Sequence, residues 1–212
     1  MIKAIIFDAD GTILDSVEDI LDAVNYALSK FNLPNKTLKE VELNLGYGAS
    51  YLLLKSLGDN SHLLEDVLKV YKPYLEKNSM NKTKPFPHLY DLLINLKKGY
   101  KLGVVSNKHN EAINLIINHY FPNIFDIVIG EQPNYKRKPN PDLLNLALNK
   151  LNVKNNEAIY IGDTEVDIKT AKNAGVPVIA VSWGFRNYDF LLKENPNYLI
   201  NHVKDILKII KG

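Results

Sequence analysis

The chain opens on the stretch that decides its fold, IKAIIFDADGTILDS, residues 2–16. Its apolar, β-branched first half is typical of a buried strand, and two carboxylates follow it, Asp8 and Asp10. Because side chains alternate along a strand, we expect both aspartates to start on one face. Like charges this close are costly unless a cation, a shared proton or a catalytic task accounts for them. The stretch predicts a divalent metal with acid–base or nucleophilic chemistry; the alternative is a solvated aspartate pair before a turn.

Short apolar runs and segments of helical spacing alternate through much of the chain. Besides the first run, Ile2–Phe7, strand-like runs occur at Leu102–Val105, Ile127–Ile129, Ala158–Ile161, Val178–Val181 and, more weakly, Tyr198–Ile200. Continuous apolar strands that alternate with amphipathic helices are typical of a parallel sheet covered on both sides. The predicted fold class is α/β, a Rossmann-like parallel sheet with helices on both faces.

Residues 16–83 interrupt this alternation, because they carry helical stripes and no convincing strand. The first helix is predicted from an apolar i, i+3, i+4, i+7 pattern that begins at Val17, with Ser16 as its N-cap. Further helices are predicted around Lys39–Asn44, Ser50–Leu57 and Leu63–Asn78. The chain returns through Thr83–Pro87, where two prolines stiffen it.

This block predicts a small all-helical cap domain, residues 16–83, inserted after the first strand into a core of residues 1–15 and 84–212. Its exit and its return lie side by side in this arrangement, so the two connections would act as hinges. The sequence therefore predicts a lid.

Composition excludes several classes of function. The chain has 212 residues and no cysteine, which excludes disulfides, thiolate catalysis and cysteine-bound metals. The net charge is only +2 and the lysines are scattered, so charge provides no argument for nucleic-acid binding. No apolar stretch has the roughly 18 residues of a membrane helix, and the first apolar run is too short for a signal peptide. We expect a cytoplasmic monomer or homodimer that binds neither nucleic acid nor membrane.

Polar residues follow four successive predicted strands. Asp8 and Asp10 follow the first, Ser106-Asn107-Lys108 the second, Lys138 the third and Asp163 the fourth, with Asp167 soon after. Taken singly, these would be a helix cap, a solvated lysine and an acidic helix start. Because ligands bind at the carboxyl ends of parallel strands, four such strand ends in a row predict one shared site.

These motifs, in this order, resemble those of the haloacid dehalogenase superfamily of hydrolases. The resemblance rests on Asp8-Ala9-Asp10-Gly11-Thr12, Ser106-Asn107, Lys138-Pro139 and Gly162-Asp163 with Asp167, and on a helical insert at the position of that superfamily's cap. Physical requirements of phosphoryl transfer then suggest roles that the resemblance supports. Asp8 would attack phosphorus and form an aspartyl-phosphate.

A metal is expected because a carboxylate repels a phosphate dianion, and Mg²⁺ suits oxygen ligands. Asp8 and Asp163 would bind it through their side chains, and the resemblance implies the backbone carbonyl of Asp10 as a third ligand. Asp167 would bind the ion directly or through water, or would only orient Lys138 without contacting the ion, which we favour.

The remaining roles concern protons and phosphate oxygens. Asp10 would protonate the leaving oxygen and then activate the hydrolytic water. Ser106, the backbone N–H of Asn107 and the charge of Lys138 would hold the phosphate. In the superfamily that the chain resembles, dehalogenases and phosphonatase-like members lack the second aspartate. The resemblance therefore implies that a chain with Asp10 has a phosphate ester as its substrate.

The stretch Val181-Ser182-Trp183-Gly184-Phe185 resembles the phosphoglycolate phosphatase branch, which implies a small substrate such as 2-phosphoglycolate. A β-phosphoglucomutase-like phosphotransferase, a pyrophosphatase or nucleotidase of the same fold, and a non-catalytic phosphate-binding module remain alternatives. Two departures from the pattern are Ala9, where a larger apolar residue is common, and His88, where relatives often have glycine. In the predicted cap, Tyr47, Ser50 and Tyr51 are the candidates for substrate specificity.

Overall fold

A six-stranded parallel sheet forms the centre of the computed structural model, which describes residues 1–211. The strands of the chain are β1 (Ala4–Phe7), β2 (Leu14–Asp15), β3 (Lys84–Pro85), β4 (Lys101–His109), β5 (Ile127–Glu131), β6 (Ala158–Gly162), β7 (Val178–Val181) and β8 (Tyr198–Ile200). The sheet has the spatial order β5-β4-β1-β6-β7-β8, and every neighbouring pair is parallel. The predicted α/β fold with a parallel sheet is confirmed.

Apolar side chains of the sheet point alternately into two cores. Ile5 and Phe7 face one layer of helices, whereas Ala4 and Ile6 face the other. The first layer contains α5 (Leu89–Lys97), α6 (Asn110–Tyr120) and α10 (Asp205–Lys211). The second contains α7 (Asp142–Leu151), α8 (Glu165–Ala174) and α9 (Tyr188–Lys193). Both faces of the sheet are thus covered, which explains why its strands read as continuous apolar runs.

Strand β4 is longer than predicted. It continues past Val105 through Ser106, Asn107 and Lys108 and pairs again with β5 at His109, after a change of register. The pairing with β1 ends earlier, at Val104 opposite Phe7. The polar residues expected after this strand therefore lie within it, on a segment that extends beyond the end of β1.

Helices α1 (Val17–Ser29), α2 (Leu38–Glu42), α3 (Ala49–Leu57) and α4 (Leu64–Asn78), with a 3₁₀ turn at Gly58–Leu63, form what we call the helical unit. It has an apolar cluster of its own, centred on buried residues such as Val24, Leu53 and Val67. Helix α1 begins at Val17, as predicted, and ends at Ser29.

The helical unit is joined to the sheet by a two-stranded antiparallel ribbon, β2 with β3. Just beyond it, the buried Asp19 carboxylate accepts hydrogen bonds from the backbone N–H groups of Lys82 and Thr83 and from the Thr83 hydroxyl. The chain's exit from the sheet and its return are therefore held together. Over residues 1–211, no helix has the length and apolar character needed to cross a membrane.

Candidate active site

The predicted site residues meet at the carboxyl ends of β1, β4 and β6, the centre of the sheet. A cavity of about 420 Å³ lies there between the sheet and the helical unit. Asp8, Asp10, Ser106, Asn107 and Lys138 all line it. Strands β4 and β5 lie on one side of β1, and β6, β7 and β8 lie on the other. Such switch points open the crevices in which α/β proteins bind ligands.

Lys138 lies between two carboxylates in the floor of this cavity. Its Nζ is 2.8 Å from Asp8 Oδ1 and 2.7 Å from Asp167 Oδ1, and it donates to the Tyr160 hydroxyl at 3.0 Å. Burial by itself favours the neutral amine, but the charges of Asp167 and Asp8 raise the pKa of Lys138 well above its ordinary value. The site thus contains a fixed positive charge.

Asp163 is fully buried behind Asp8. Its Oδ1 accepts from the Thr12 hydroxyl and its Oδ2 from the backbone N–H of Phe185, each at 2.8 Å. Burial, and next the charges of Asp167 and Asp8, raise the pKa of Asp163 well above its ordinary value. Burial and the charge of Asp167 likewise raise the pKa of Asp8 from 3.8 to about 7, although Lys138 opposes this.

This carboxylate cluster fits a divalent cation. One oxygen from each of Asp8, Asp163 and Asp167 lies within 4.8 Å of the others. Hard cations such as Mg²⁺ take carboxylate oxygens as ligands, and a positive charge here would offset the burial and the repulsion that raise the pKa values of Asp8 and Asp163. Asp167 differs from the other two, because each of its oxygens has two donors. Its Oδ1 accepts from Lys138 and the Tyr160 hydroxyl, and its Oδ2 accepts from the Thr164 hydroxyl and N–H. Each Asp163 oxygen has only one donor, which leaves more room for an ion.

Asp10 has different surroundings from Asp8. Both of its oxygens accept from Lys108 Nζ, at 3.0 and 2.9 Å, and Oδ1 also accepts from the Ser16 hydroxyl at 2.6 Å. The expectation that Asp8 and Asp10 start on one face of a strand is wrong, because β1 ends at Phe7. The Ser16 hydroxyl, which donates to Asp10, makes no capping hydrogen bond to α1, unlike the side-chain N-cap predicted for it.

The turn between these aspartates and the next strand needs a glycine at position 11. Gly11 has φ +85°, a conformation that other residues rarely adopt. A Cβ there would also collide with the Asp163 carboxylate. The backbone can approach that carboxylate closely only without a side chain.

Asn107 connects the site to the helical unit. Its side-chain amide donates to the Gly46 carbonyl at 2.9 Å and to the Lys138 carbonyl at 3.0 Å, and its Oδ1 accepts from the Lys138 N–H at 2.8 Å. Ser106 lines the cavity, and its Oγ accepts from the Lys108 N–H. The Asn107 side chain thus fixes the backbone on both sides of the cavity.

The helical unit contributes a mostly apolar wall to the cavity. Its lining includes Ile20, Leu45, Ala49, Leu52, Tyr71 and Leu75. Burial, and to a smaller extent the charge of Asp10, raise the pKa of Tyr71. Within residues 1–211, the Tyr71 hydroxyl makes no hydrogen bond, which leaves its proton available to a ligand in the cavity.

The predicted specificity residues Tyr47, Ser50 and Tyr51 do not line this cavity, which corrects our expectation. Tyr47 lies before α3 and Tyr51 lies within it; their ring centroids are 4.7 Å apart, and both line a separate groove beside residues 135–141. For Ser50 and Tyr51 the cause is the helical period, because Ala49 and Leu52 share another face of α3 and turn towards the cavity.

Comparison with known proteins places this site in a family. A family model described as haloacid dehalogenase-like hydrolase matches residues 5–181, which contain all the predicted catalytic and metal-binding residues. The chain belongs to the haloacid dehalogenase-like hydrolases. The resemblance inferred from the sequence is confirmed, and so is the enzyme class, a phosphatase of this family.

Similar proteins match over nearly their full length. A protein of Caldanaerobacter subterraneus subsp. tengcongensis, provisionally named a pyrophosphatase, is 33% identical and covers 100% of this chain and 96% of its own. The phosphoglycolate phosphatase of Aquifex aeolicus is 31% identical over 98% of this chain and 96% of its own. A crystal structure from Lactobacillus delbrueckii subsp. bulgaricus, provisionally named a phosphoglycolate phosphatase, has a TM-score of 0.94, 35% identity and 98% coverage of both chains.

Several residues of this hydrolase's site had no predicted role. Lys108 was visible as a cation next to Ser106-Asn107, and that proximity was the available signal. Thr12 and Tyr160 gave none, because a threonine in a turn and a tyrosine in a strand are ordinary there. Tyr71 was hidden in the apolar stripe of α4, where it reads as a core residue.

Proposed function

We propose that the chain is a Mg²⁺-dependent phosphomonoester hydrolase that forms a covalent aspartyl-phosphate on Asp8. One observation carries the proposal: Asp8 is only 5% exposed, opens into the cavity and is 2.8 Å from the buried cation of Lys138. A carboxylate in this position is paired for orientation and still accessible to a ligand. A purely phosphate-binding site would gain nothing from an anion at its floor.

The metal would be held by the side chains of Asp8 and Asp163 and by the backbone carbonyl of Asp10. When bound, Mg²⁺ would offset the negative charge of the phosphate and allow the Asp8 carboxylate to approach it. Thr12 and the Phe185 N–H orient Asp163 for this role. Asp167 orients Lys138 and stays outside the ligand set, since each of its oxygens already has two donors whereas each Asp163 oxygen has one.

In the first step, an oxygen of Asp8 attacks phosphorus and the bond from phosphorus to the leaving oxygen breaks. Lys138, the Ser106 hydroxyl and the backbone N–H of Asn107 stabilise the charge on the transferring group. Asp10 gives its proton to the leaving oxygen, and Lys108 and Ser16 hold its carboxylate in place for this transfer.

In the second step, the deprotonated Asp10 takes a proton from water, which attacks phosphorus and releases Asp8 and inorganic phosphate. Water must be kept from the phosphoryl group until Asp8 has displaced the leaving group. The helical unit covers the cavity, and we propose that it is a cap domain, residues 16–83, which moves about the β2–β3 ribbon on a core of residues 1–15 and 84–212.

We propose small phosphate esters as substrates, with 2-phosphoglycolate as the first candidate, because relatives over the whole chain bear the name phosphoglycolate phosphatase. Pyrophosphate is the second candidate, because the relative at 33% identity is provisionally named a pyrophosphatase. Both share the transferred group and differ only in what the cap must accept.

Hydrolysis of p-nitrophenyl phosphate in Mg²⁺ and then in EDTA tests the chemistry. Metal-dependent turnover is expected, and its absence in the wild-type protein would refute the proposal. A panel that includes 2-phosphoglycolate, pyrophosphate and nucleoside monophosphates tests the substrate. A low kcat/KM for 2-phosphoglycolate beside a high value for pyrophosphate would reverse the order of the two candidates.

A further inference from the structure

Arg186 belongs to the sheet side of the molecule but holds backbone groups of the helical unit. It follows β7 and is only 5% exposed. Its Nη1 donates to the Glu42 carbonyl at 2.7 Å, and its Nη2 donates to the carbonyls of Leu45 at 3.0 Å and Leu43 at 3.3 Å. These carbonyls lie at the end of α2 and in its connection to α3, and within residues 1–211 only that of Glu42 also accepts from a backbone N–H, the N–H of Leu45 at 3.2 Å. A cation is favoured at such a helix end.

The guanidinium is itself fixed by Glu165. Arg186 Nε is 2.8 Å from Glu165 Oε2, and Nη2 is 3.1 Å from Oε1, so the pair is bidentate. Glu165 is buried at the first turn of α8, two residues after Asp163. Bidentate pairs between arginine and carboxylate fix geometry as well as charge. Arg186 therefore has its position set by the sheet while its remaining donors bind the helical unit.

The two residues before Arg186 contact Asp163. The N–H of Phe185 donates to Asp163 Oδ2 at 2.8 Å, and the Phe185 ring packs on the apolar cluster of the helical unit. Gly184 passes so close that a Cβ would collide with the Asp163 carboxylate and with the Gly11 carbonyl. Three consecutive residues thus orient a carboxylate of the site and hold the helical unit against it.

We infer that Arg186 is a positioning residue that couples the docking of the helical unit to metal binding at Asp163. If the unit moved away, the guanidinium would exchange three charge-assisted hydrogen bonds to carbonyls for bonds to water. The Gly184–Arg186 segment would keep Glu165 but lose its contacts with the helical unit, so the Phe185 N–H would hold Asp163 less firmly. Coupling between two sites is reciprocal, so a bound cation should favour the docked unit by the same factor. The inference rests on the proposed function for the role of Asp163 as a ligand.

The test compares Arg186→Met and Arg186→Lys with the wild-type protein. Titration calorimetry without substrate measures the dissociation constant of Mg²⁺, which we expect to rise at least about fivefold in Arg186→Met. The KM for p-nitrophenyl phosphate should rise by more than kcat falls, since the helical unit forms the wall of the cavity. In the metal-free protein, amides of residues 43–46 should exchange hydrogen faster than in the wild type. Arg186→Lys keeps the charge without the fork and should give intermediate values.

Lys69→Met is the matched control, because it removes an exposed ion pair with Asp66 from the outer face of α4. Its Mg²⁺ affinity and KM should equal those of the wild type. A folded Arg186→Met with wild-type Mg²⁺ affinity and wild-type exchange at residues 43–46 would overturn the coupling. If Arg186→Met does not fold, Arg186→Lys and Glu165→Gln decide by the same measurements. Failure of the wild-type protein to bind Mg²⁺ would overturn the proposed function and the coupling together.

Discussion

At the scale of single residues, the site separates two aspartates that are neighbours in the sequence. Asp8 is buried beside Lys138, whereas Asp10 is held by Lys108 and Ser16 on the other side of the turn. The sequence predicts both aspartates as reactive and gives their roles through the family resemblance. It could not show which lysine each one meets, because Lys108 and Lys138 reach the site from different elements of the fold.

Asp8→Asn should reduce kcat by at least about 10³-fold, because the amide cannot act as the nucleophile. The fold should be retained, since asparagine has nearly the same size and keeps an acceptor for Lys138. Steady-state turnover of p-nitrophenyl phosphate and near-ultraviolet circular dichroism measure the two effects. Activity close to that of the wild-type protein would remove Asp8 as the nucleophile.

Tyr71→Phe should lower kcat/KM about two- to tenfold for the preferred substrate, which is the contribution of one hydrogen bond. Thermal stability should hardly change, since the hydroxyl has no partner within residues 1–211. Tyr74→Phe is the control, because Tyr74 stacks on Tyr26 with centroids 4.0 Å apart and does not line the cavity. Equal kinetics for both variants would show that the Tyr71 hydroxyl does not contact the substrate.

At the scale of elements, apolar runs predict the strands of the sheet well, whereas strand segments made of polar residues are not recognised from the sequence. The bounds of β7 and β8 agree with their predicted runs, because these strands are continuously apolar or nearly so. The end of β4 was missed, since Ser106, Asn107 and Lys108 are strand residues only through their place beside β5. Strands β2 and β3 have two residues each, too few to show a period.

His88→Gly should stabilise the protein, by up to about 1 kcal/mol. His88 is exposed and has φ +65° immediately before α5, a left-handed conformation that is strained for histidine and free for glycine. This position is also one at which the family resemblance implies glycine. Urea unfolding measures the change, and Asn123→Gly, at φ +62°, should gain less because asparagine tolerates that region. A larger gain at position 123 would contradict this account.

At the scale of the whole molecule, stability should depend on pH through the carboxylate cluster. The pKa of Asp8 is about 7 in the folded chain against 3.8 ordinarily, and that of Asp163 is raised in the same direction. Between pH 4 and 7 the metal-free folded state therefore binds more protons than the unfolded state. The contribution of these groups is present below pH 4 and is lost as the pH rises through 7.

Thermal unfolding in EDTA at several pH values measures this effect. The Tm of Asp8→Asn relative to the wild-type protein should increase as the pH rises from 4 to 8. Mg²⁺ should reverse the loss in the wild type at pH 8, by about 2.7 kcal/mol at a concentration one hundred times its Kd. A wild-type protein with no Mg²⁺-dependent change in Tm would contradict the assignment of the metal site.

The paired strands β2 and β3, with the Asp19 carboxylate next to them, bring the two ends of the helical unit to one narrow crossing. None of the predicted catalytic or metal-binding side chains comes from inside the unit. Evolution can therefore exchange, lengthen or reshape the whole insert through this crossing without moving the reacting groups. Under the proposed function, reactivity belongs to the sheet and selectivity to the insert, which is consistent with relatives that bear the names of different substrates.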